Sequence, residues 1–283
     1  MGLVVQITDT HILPPGELLY GVTDTETHLR GAIQQINAMR PQADVTLITG
    51  DLVERPDREC YRHFLELISP LKMPTFVLPG NHDDPDLMAE FFAGTPHFPA
   101  QSPTYQYVID DFPYRILALN SHAPDSGLPD FDAARLAWVD EQLSLSEKPT
   151  LVAIHHPPMI TSIELVDIRG PSWFQKLAAV LSKYPQVKLV ICGHSHADMT
   201  GRIAHVPVYM ASAVAHQLVA ARGLTIAPSY VRGPAPPVLH HFLNGEFLSG
   251  SNPWPADAEE MRIDKTSGIE WGAIKDHTRG SLK

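Results

Sequence analysis

Five short runs of nearly unbroken aliphatic and β-branched residues constrain this chain more than any other feature: 3–7 (LVVQI), 44–48 (DVTLI), 75–78 (TFVL), 150–154 (TLVAI) and 188–192 (KLVIC). None alternates apolar with polar residues along its length. A strand with one wet face does alternate, so these read as strands covered on both faces, as in a parallel sheet packed by helices. Helical patterns separate several of them. Residues 26–40 place Leu29, Ile33 and Ile36 on one face and stop at Pro41, and residues 58–69 gather Tyr61, Phe64, Leu65 and Ile68 before Pro70. Further helices are expected at 86–92, 132–143 and 172–183, with Asp132 and Ser172 as N-caps of the last two. Residues 105–110, 114–120, 206–210 and 238–250 read as additional strands, more than one simple βαβ sheet requires. Long irregular stretches fall at 94–103, 157–170 and the Pro-rich 222–237, and 251–283 reads as a tail.

The residues just past each buried strand share one chemistry. Ile7 leads to Thr8-Asp9-Thr10-His11, Ile48 to Gly50-Asp51, Leu78 to Gly80-Asn81-His82-Asp83, Ile154 to His155-His156, and Cys192 to Gly193-His194-Ser195-His196. The C-terminal edge of a parallel sheet is where loops converge on a ligand crevice. Gly50, Gly80 and Gly193 are expected to let the backbone turn sharply there. Asp9, His11, Asp51, Asn81, His155, His194 and His196 make seven oxygen or imidazole donors. That is too many for one four- or five-coordinate ion and suits two ions sharing one carboxylate, with Asp51 the natural bridge. Mixed nitrogen and oxygen donors without thiolate point to Zn, Mn, Fe or Co. Paired ions of this kind suit displacement at phosphorus, because they acidify a bound water and neutralise phosphoryl oxygens.

Asp9-x-His11, Gly50-Asp51, Gly80-Asn81-His82-Asp83, His155 and Gly193-His194-x-His196 resemble, in order and spacing, the complete motif set of the calcineurin-like metallophosphoesterases. The order is most similar to the class III cyclic-nucleotide phosphodiesterase and bacterial glycerophosphodiesterase branch. Gly16-Glu17-Leu18-Leu19-Tyr20-Gly21 and Val214-Ala215-His216-Gln217 resemble the glycerophosphodiesterases in particular. The resemblance implies an α/β fold, a four-layer αββα sandwich, which would account for the extra strands. It implies one ion held by Asp9, His11, Asp51 and His196 and a second by Asp51, Asn81, His155 and His194. His82, beside Asn81, would then bind a phosphoryl oxygen or protonate the leaving alkoxide, with Asp83 orienting it. His82, Asn81 and His216 are the expected substrate-binding residues, and Asp51 and His82 the expected catalytic ones. His156 is expected behind the ligands, His122 and His216 beside the substrate. His28, His63, His97, His205, His240, His241 and His277 are expected to pack or face solvent.

The expected activity is therefore hydrolysis of small, glycerophosphodiester-like organic phosphodiesters by a binuclear metal-dependent phosphodiesterase, with a metal-bound hydroxide as nucleophile. The alternative is a 3′,5′-cyclic nucleotide (cAMP) phosphodiesterase, which would use the same donors. A catalytically silent scaffold of this fold would be expected to have lost His82 or a ligand. The two cofactor ions are expected to be divalent or trivalent transition metals. A nucleophile elbow at Gly193-His194-Ser195-His196-Ala197 is disfavoured because its closing glycine is missing.

Composition narrows the setting. Twenty-one Lys and Arg against 32 Asp and Glu leave a formal charge of −11, which disfavours nucleic-acid polymers as partners. At about 150 residues per domain the 283 residues suggest two domains, but donors from 9 to 196 must meet at one site. One catalytic domain over 1–250 is therefore expected, with 251–283 a tail packing at an oligomer interface. Two cysteines, Cys60 and Cys192, suit a reduced, cytoplasmic setting. No apolar run approaches the about 18 residues of a membrane helix, so no membrane partner is expected.

Overall fold

Four of the α-helices start where an aspartate closes the first turn. The computed structural model describes residues 1–98, 104–123, 126–219 and 229–251, with 272 and 275. Asp24 caps α1 (Thr25–Ala38), Asp57 caps α2 (Arg58–Ile68), Asp84 caps α3 (Pro85–Phe91) and Asp132 caps α4 (Ala133–Ser144). Each carboxylate accepts from first-turn amides, worth about 1 kcal/mol per cap. Helix α5 (Ser172–Leu181) differs from expectation. Ser172 lies inside the helix, and Pro171 holds the cap position without a side-chain hydrogen bond.

The strands form two main sheets. The first has the order β13-β12-β1-β2-β3, built from β1 (Gly2–Ile7), β2 (Val45–Ile48), β3 (Thr75–Val77), β12 (Val238–Leu243) and β13 (Glu246–Ser251). Within it β1, β2 and β3 run parallel, and β12 and β13 complete an antiparallel edge. The second has the order β4-β5-β6-β7-β9-β8. Its strands are β4 (Tyr107–Ile109), β5 (Arg115–Ala118), β6 (Thr150–Ala153), β7 (Val187–Cys192), β8 (Met199–Ile203) and β9 (Val206–Met210). A separate ribbon pairs β10 (His216–Val219) with β11 (Ser229–Arg232).

The pleat of the second sheet sorts its side chains between two cores. Ile116, Ala118, Leu151, Ala153, Leu189 and Ile191 join the core shared with β1, β2, α1 and α2. Their neighbours Leu117, Val152, Val190 and Cys192 point the other way, into a core with α4 and α5. Period-two alternation between two apolar environments is what leaves the sequence runs unbroken. The layers are thus helices, sheet, sheet, helices, the expected αββα sandwich.

Three differences from the sequence reading have local causes. The single run 238–250 is a hairpin, β12–β13, turned at Asn244-Gly245, both with positive φ. The Pro-rich stretch carries β11, and β8 and β10 lie where no strand is expected; their burial is partial or low, so they lack an apolar pattern. The stretch 157–170 contains a 3₁₀ turn, Asp167–Arg169, tied to Thr161 by the Asp167 carboxylate. Residues 99–103 and 220–228, and the tail beyond 251 apart from 272 and 275, lie outside the described residues. Met1–Pro253 groups as one compact unit.

Candidate metal centre

The structure brings the seven donors of the strand ends to one place. On one wing His11 Nε2 stands 3.2 Å from His196 Nε2 and 3.6 Å from Asp51 Oδ2, and His196 Nε2 is 3.3 Å from Asp9 Oδ1. On the other, His155 Nε2 lies 3.4 Å from the same Asp51 oxygen and 3.1 Å from Asn81 Oδ1, which is 2.8 Å from His194 Nδ1. Two donors bound at about 2.1 Å to one ion stand about 3.0–3.4 Å apart, so these separations fit ligation with little movement. Asp51 Oδ2 is common to both wings. The donor atoms of His155, His156 and His194 also lie within 4.8 Å of one another.

For His11, His155 and His196 the outward side of the imidazole explains why the inward side is free to ligate. His11 Nδ1 meets Glu54 Oε2 at 2.7 Å, His155 Nδ1 meets the Thr49 carbonyl at 2.9 Å, and His196 Nδ1 meets the His216 carbonyl at 2.8 Å. Each acceptor takes a proton from Nδ1 and leaves the Nε2 lone pair facing the cluster. The carboxylates are held too. Asp9 accepts from Thr8 Oγ1 and the His194 amide, and Asp51 Oδ1 accepts from the His82 amide at 2.9 Å.

Backbone strain concentrates here. Asp9, His11, Asp51, His194 and His196 all have left-handed φ, between 44° and 73°. Each such residue costs about 1–3 kcal/mol and persists because its surroundings over-determine it. Of the three strand-end glycines only Gly50 has positive φ, at 95°. Gly80 and Gly193 serve close approach instead: a Cβ at Gly80 would strike the Asp51 carboxylate, and one at Gly193 would strike Thr8 and Asp9.

Charge in the protein alone is unevenly shared. Burial pushes the Asp9 and Asp51 carboxyls up, but His196 beside Asp9 and His155 beside Asp51 more than reverse this and hold both below the usual range. Burial likewise pulls His155 down, and Asp51 with Asp9 overcomes it, raising it to about 9. His194 is pushed down to about 3 by burial and by His155.

His82 stands at the mouth, its side chain about one-third exposed at 34%, with its ring edge-on to His11 at 4.8 Å. Its Nδ1 donates to the Glu54 carbonyl at 2.8 Å, and the Glu54 carboxylate lies 3.5 Å away. Burial lowers its pKa, but Asp51 and Glu54 reverse the effect and raise it. Asp83 does not orient His82, contrary to the sequence expectation. Its buried carboxylate accepts from the Leu52 and Gly80 amides and from Tyr61 Oη, tying the ends of β2 and β3 together. The residue that sequence reasoning missed is Glu54, which touches both His11 and His82. No motif contains it, and only its place three residues after Asp51 points to it.

Asn81 and His82 open onto a cleft of about 730 Å³, lined also by Tyr105, Asn120, His122 and Arg135. His156 lies beside His194, ring centroids 4.6 Å apart, with Nδ1 on Ser121 Oγ at 2.8 Å and its buried Nε2 without a hydrogen-bond partner among the described residues. The His216 ring lies tilted against His196, centroids 4.4 Å apart, and meets Tyr20 and Tyr230 edge-on.

A family model for calcineurin-like phosphoesterases matches residues 2–198. The chain belongs to that family. Calcineurin-like phosphoesterases use divalent metal ions, and this member carries the donor groups for them. It is 32% identical over 249 residues to the protein named "probable glycerophosphodiester phosphodiesterase GpdQ" in Arcobacter nitrofigilis, covering 87% of this chain and 91% of that one. With the 3′,5′-cyclic adenosine monophosphate phosphodiesterase CpdA of Escherichia coli K12 it shares 30% identity over 201 residues, 69% of this chain and 70% of that one. Among solved structures, a dimetal phosphatase from Danio rerio superposes with a TM-score of 0.58 at 14% identity, covering 88% of this chain and 98% of that one. That last likeness concerns the fold. Among the described residues no helix is long and apolar enough to cross a membrane.

Proposed function

We propose that this phosphoesterase is a binuclear metal-dependent phosphodiesterase acting on small organic diesters of the glycerophosphodiester type. One observation carries the reading: seven donors form two overlapping groups around a shared Asp51 oxygen, beside His82 at the mouth of a cleft. Asp9, His11, Asp51 and His196 would hold one ion, and Asp51, Asn81, His155 and His194 the other. Bound there, two ions of Zn, Mn, Fe or Co would supply Lewis-acid charge and an acidified water.

The chain's own residues do the rest. Asp51 keeps the two wings together. His82, Asn81 and His216 bind the phosphoryl group, His82 from the cleft side, where its raised pKa suits donation to an oxyanion or leaving alkoxide. The Glu54 carbonyl fixes the His82 ring by holding Nδ1–H, which leaves Nε2 to face substrate.

Metal-loaded protein assayed on bis(p-nitrophenyl) phosphate is expected to turn over, and Asp51→Ala to abolish it; no turnover with any of the four metals would overturn the reading. A cyclic-nucleotide substrate is the second reading, favoured by 33% identity over 202 residues to the 3′,5′-cyclic-nucleotide phosphodiesterase alr5338 of Nostoc. That match covers 69% of this chain, against 87% for the glycerophosphodiesterase-named relative. Parallel rates on cAMP and glycerophosphodiesters decide between the two. The buried thiols of Cys60 and Cys192 support a cytoplasmic setting. Residues 1–250 would carry catalysis and 251–283 a homo-oligomer contact, and light scattering on a chain ending at Gly250 checks the latter by a fall in subunit number.

A further inference from the structure

The donors come from two different sheets. Asp9, His11, Asp51 and Asn81 follow β1, β2 and β3, whereas His155, His194 and His196 follow β6 and β7. Ligation tolerates misplacement of only about 0.5 Å. The contact between the sheets is largely apolar, and apolar attraction has no direction, so it does not by itself fix how far one sheet slides on the other. Buried polar side chains cross that contact at the donor-bearing edge, and Gln6 is the one that reaches both sheets from β1.

Gln6, next to last in β1, sends its amide Nε2 to Thr49 Oγ1 at 2.9 Å, just past β2 in its own sheet. The same nitrogen donates to the Cys192 carbonyl at 2.9 Å, at the end of β7 in the other sheet. Gln6 Oε1 accepts from His240 Nε2 at 3.0 Å on β12, and His240 Nδ1 meets Ser249 Oγ at 2.8 Å on β13. These partners fix the amide in one orientation. A flipped amide would set Oε1 against the Cys192 carbonyl, acceptor facing acceptor; with Nε2 therefore the donor, Oε1 is left to accept and His240 carries its proton on Nε2. His240 is itself clamped, edge-on to Tyr209 of β9.

The network continues into the centre on both sides. The Thr49 carbonyl accepts from His155 Nδ1 at 2.9 Å, and Thr8 Oγ1, 3.2 Å from the same carbonyl, gives its one proton to Asp9 Oδ2 at 2.7 Å. Cys192 is followed directly by Gly193 and His194.

We infer that Gln6, oriented by His240, is a positioning residue for the metal centre, locking the two sheets at the offset that lets donors from both surround shared ions. This rests on the reading of the seven donors as a metal centre. It is separable from mere stability, because removing one partner of a buried hydrogen bond is costly, whereas replacing both by apolar groups restores much of the loss.

The test uses the full chain stripped of metal, titrated with Mn²⁺ alone by calorimetry, with melting temperature and bis(p-nitrophenyl) phosphate turnover measured alongside. Gln6→Leu is expected to lower the melting temperature and to weaken Mn²⁺ binding about tenfold, at the low end of the effect of outer-shell partners. The double variant Gln6→Leu/His240→Phe is expected to regain most of the melting temperature while Mn²⁺ affinity and kcat stay low. If affinity and kcat return with stability, or if Gln6→Leu binds Mn²⁺ like the parent, the inference is overturned. Gln6→Asn keeps the amide one methylene short and carries the same readings where Gln6→Leu does not fold. A parent chain that takes up none of Mn²⁺, Zn²⁺, Fe²⁺ and Co²⁺ would overturn the metal-centre reading and this inference with it, an outcome distinguished by appearing without any substitution.

Discussion

The two wings of the centre share Asp51 but are otherwise built differently. The wing of Asp9, His11 and His196 is buried throughout and carries an unshared carboxylate, Asp9, with a second, Glu54, behind His11. The wing of Asn81, His155 and His194 offers a neutral amide in place of that carboxylate, has the neutral His156 beside it, and opens to the cleft through Asn81. Opposite charge close at hand in a dry site is worth far more than in water. The first wing is thus suited to keeping an ion, and the second to presenting one to substrate.

The strongest challenge to this contrast removes what the wings share. Asp51→Ala is expected to lose both ions and about a thousandfold or more in kcat, since the paired charge is worth several kcal/mol; metal-to-protein ratios and turnover check it. His82→Ala should lower kcat by about 10²–10⁴-fold without changing metal content, if the proposed role of His82 as a non-ligand facing the cleft holds. A loss of metal in that variant would break the division of labour. Glu54→Gln is expected to weaken the first wing's ion by about 10–100-fold, with the second wing's affinity unchanged, read by Mn²⁺ titration. Asn81→Ala should leave one tightly held ion per chain, and a chain holding none would show that the wings do not differ.

The smallest effect is in protons. His155 is raised to about 9 in the protein alone and His194 lowered to about 3, so at pH 7 one is charged and the other neutral. A ligand must be deprotonated to bind. Uptake by the second wing should therefore release about one proton, from His155, and weaken by about tenfold per pH unit as pH falls below 9. Calorimetry in buffers of different ionisation enthalpy counts that proton. None released at pH 7 would remove this basis for the contrast.

Much of this is legible in the sequence. Unbroken apolar runs such as 150–154 announce strands covered on both faces, because burial on two sides is a local property of composition. The donors are legible for the same reason: they sit immediately after those runs, and a strand end fixes where its next residue lies. Asp132 as a cap was readable from its neighbours, whereas Ser172 was misleading, since Pro171 already begins that turn.

What escaped the sequence depends on partners far away along the chain. Asp83 stands beside His82, yet its carboxylate is taken by Tyr61 and two amides, and the His82 ring is held from residue 54. Gln6 meets Cys192 across 186 positions and His240 across 234. Strands β10 and β11 are too exposed to leave an apolar pattern. The sequence alone determined the parallel-sheet layers and which side chains stand at the strand ends, because local burial and strand direction write both into short segments. Only the tertiary structure decided how two sheets are offset, which nitrogen of each histidine faces inward, and which carboxylate serves which ring. Those are hydrogen-bond choices among groups that folding alone brings within reach.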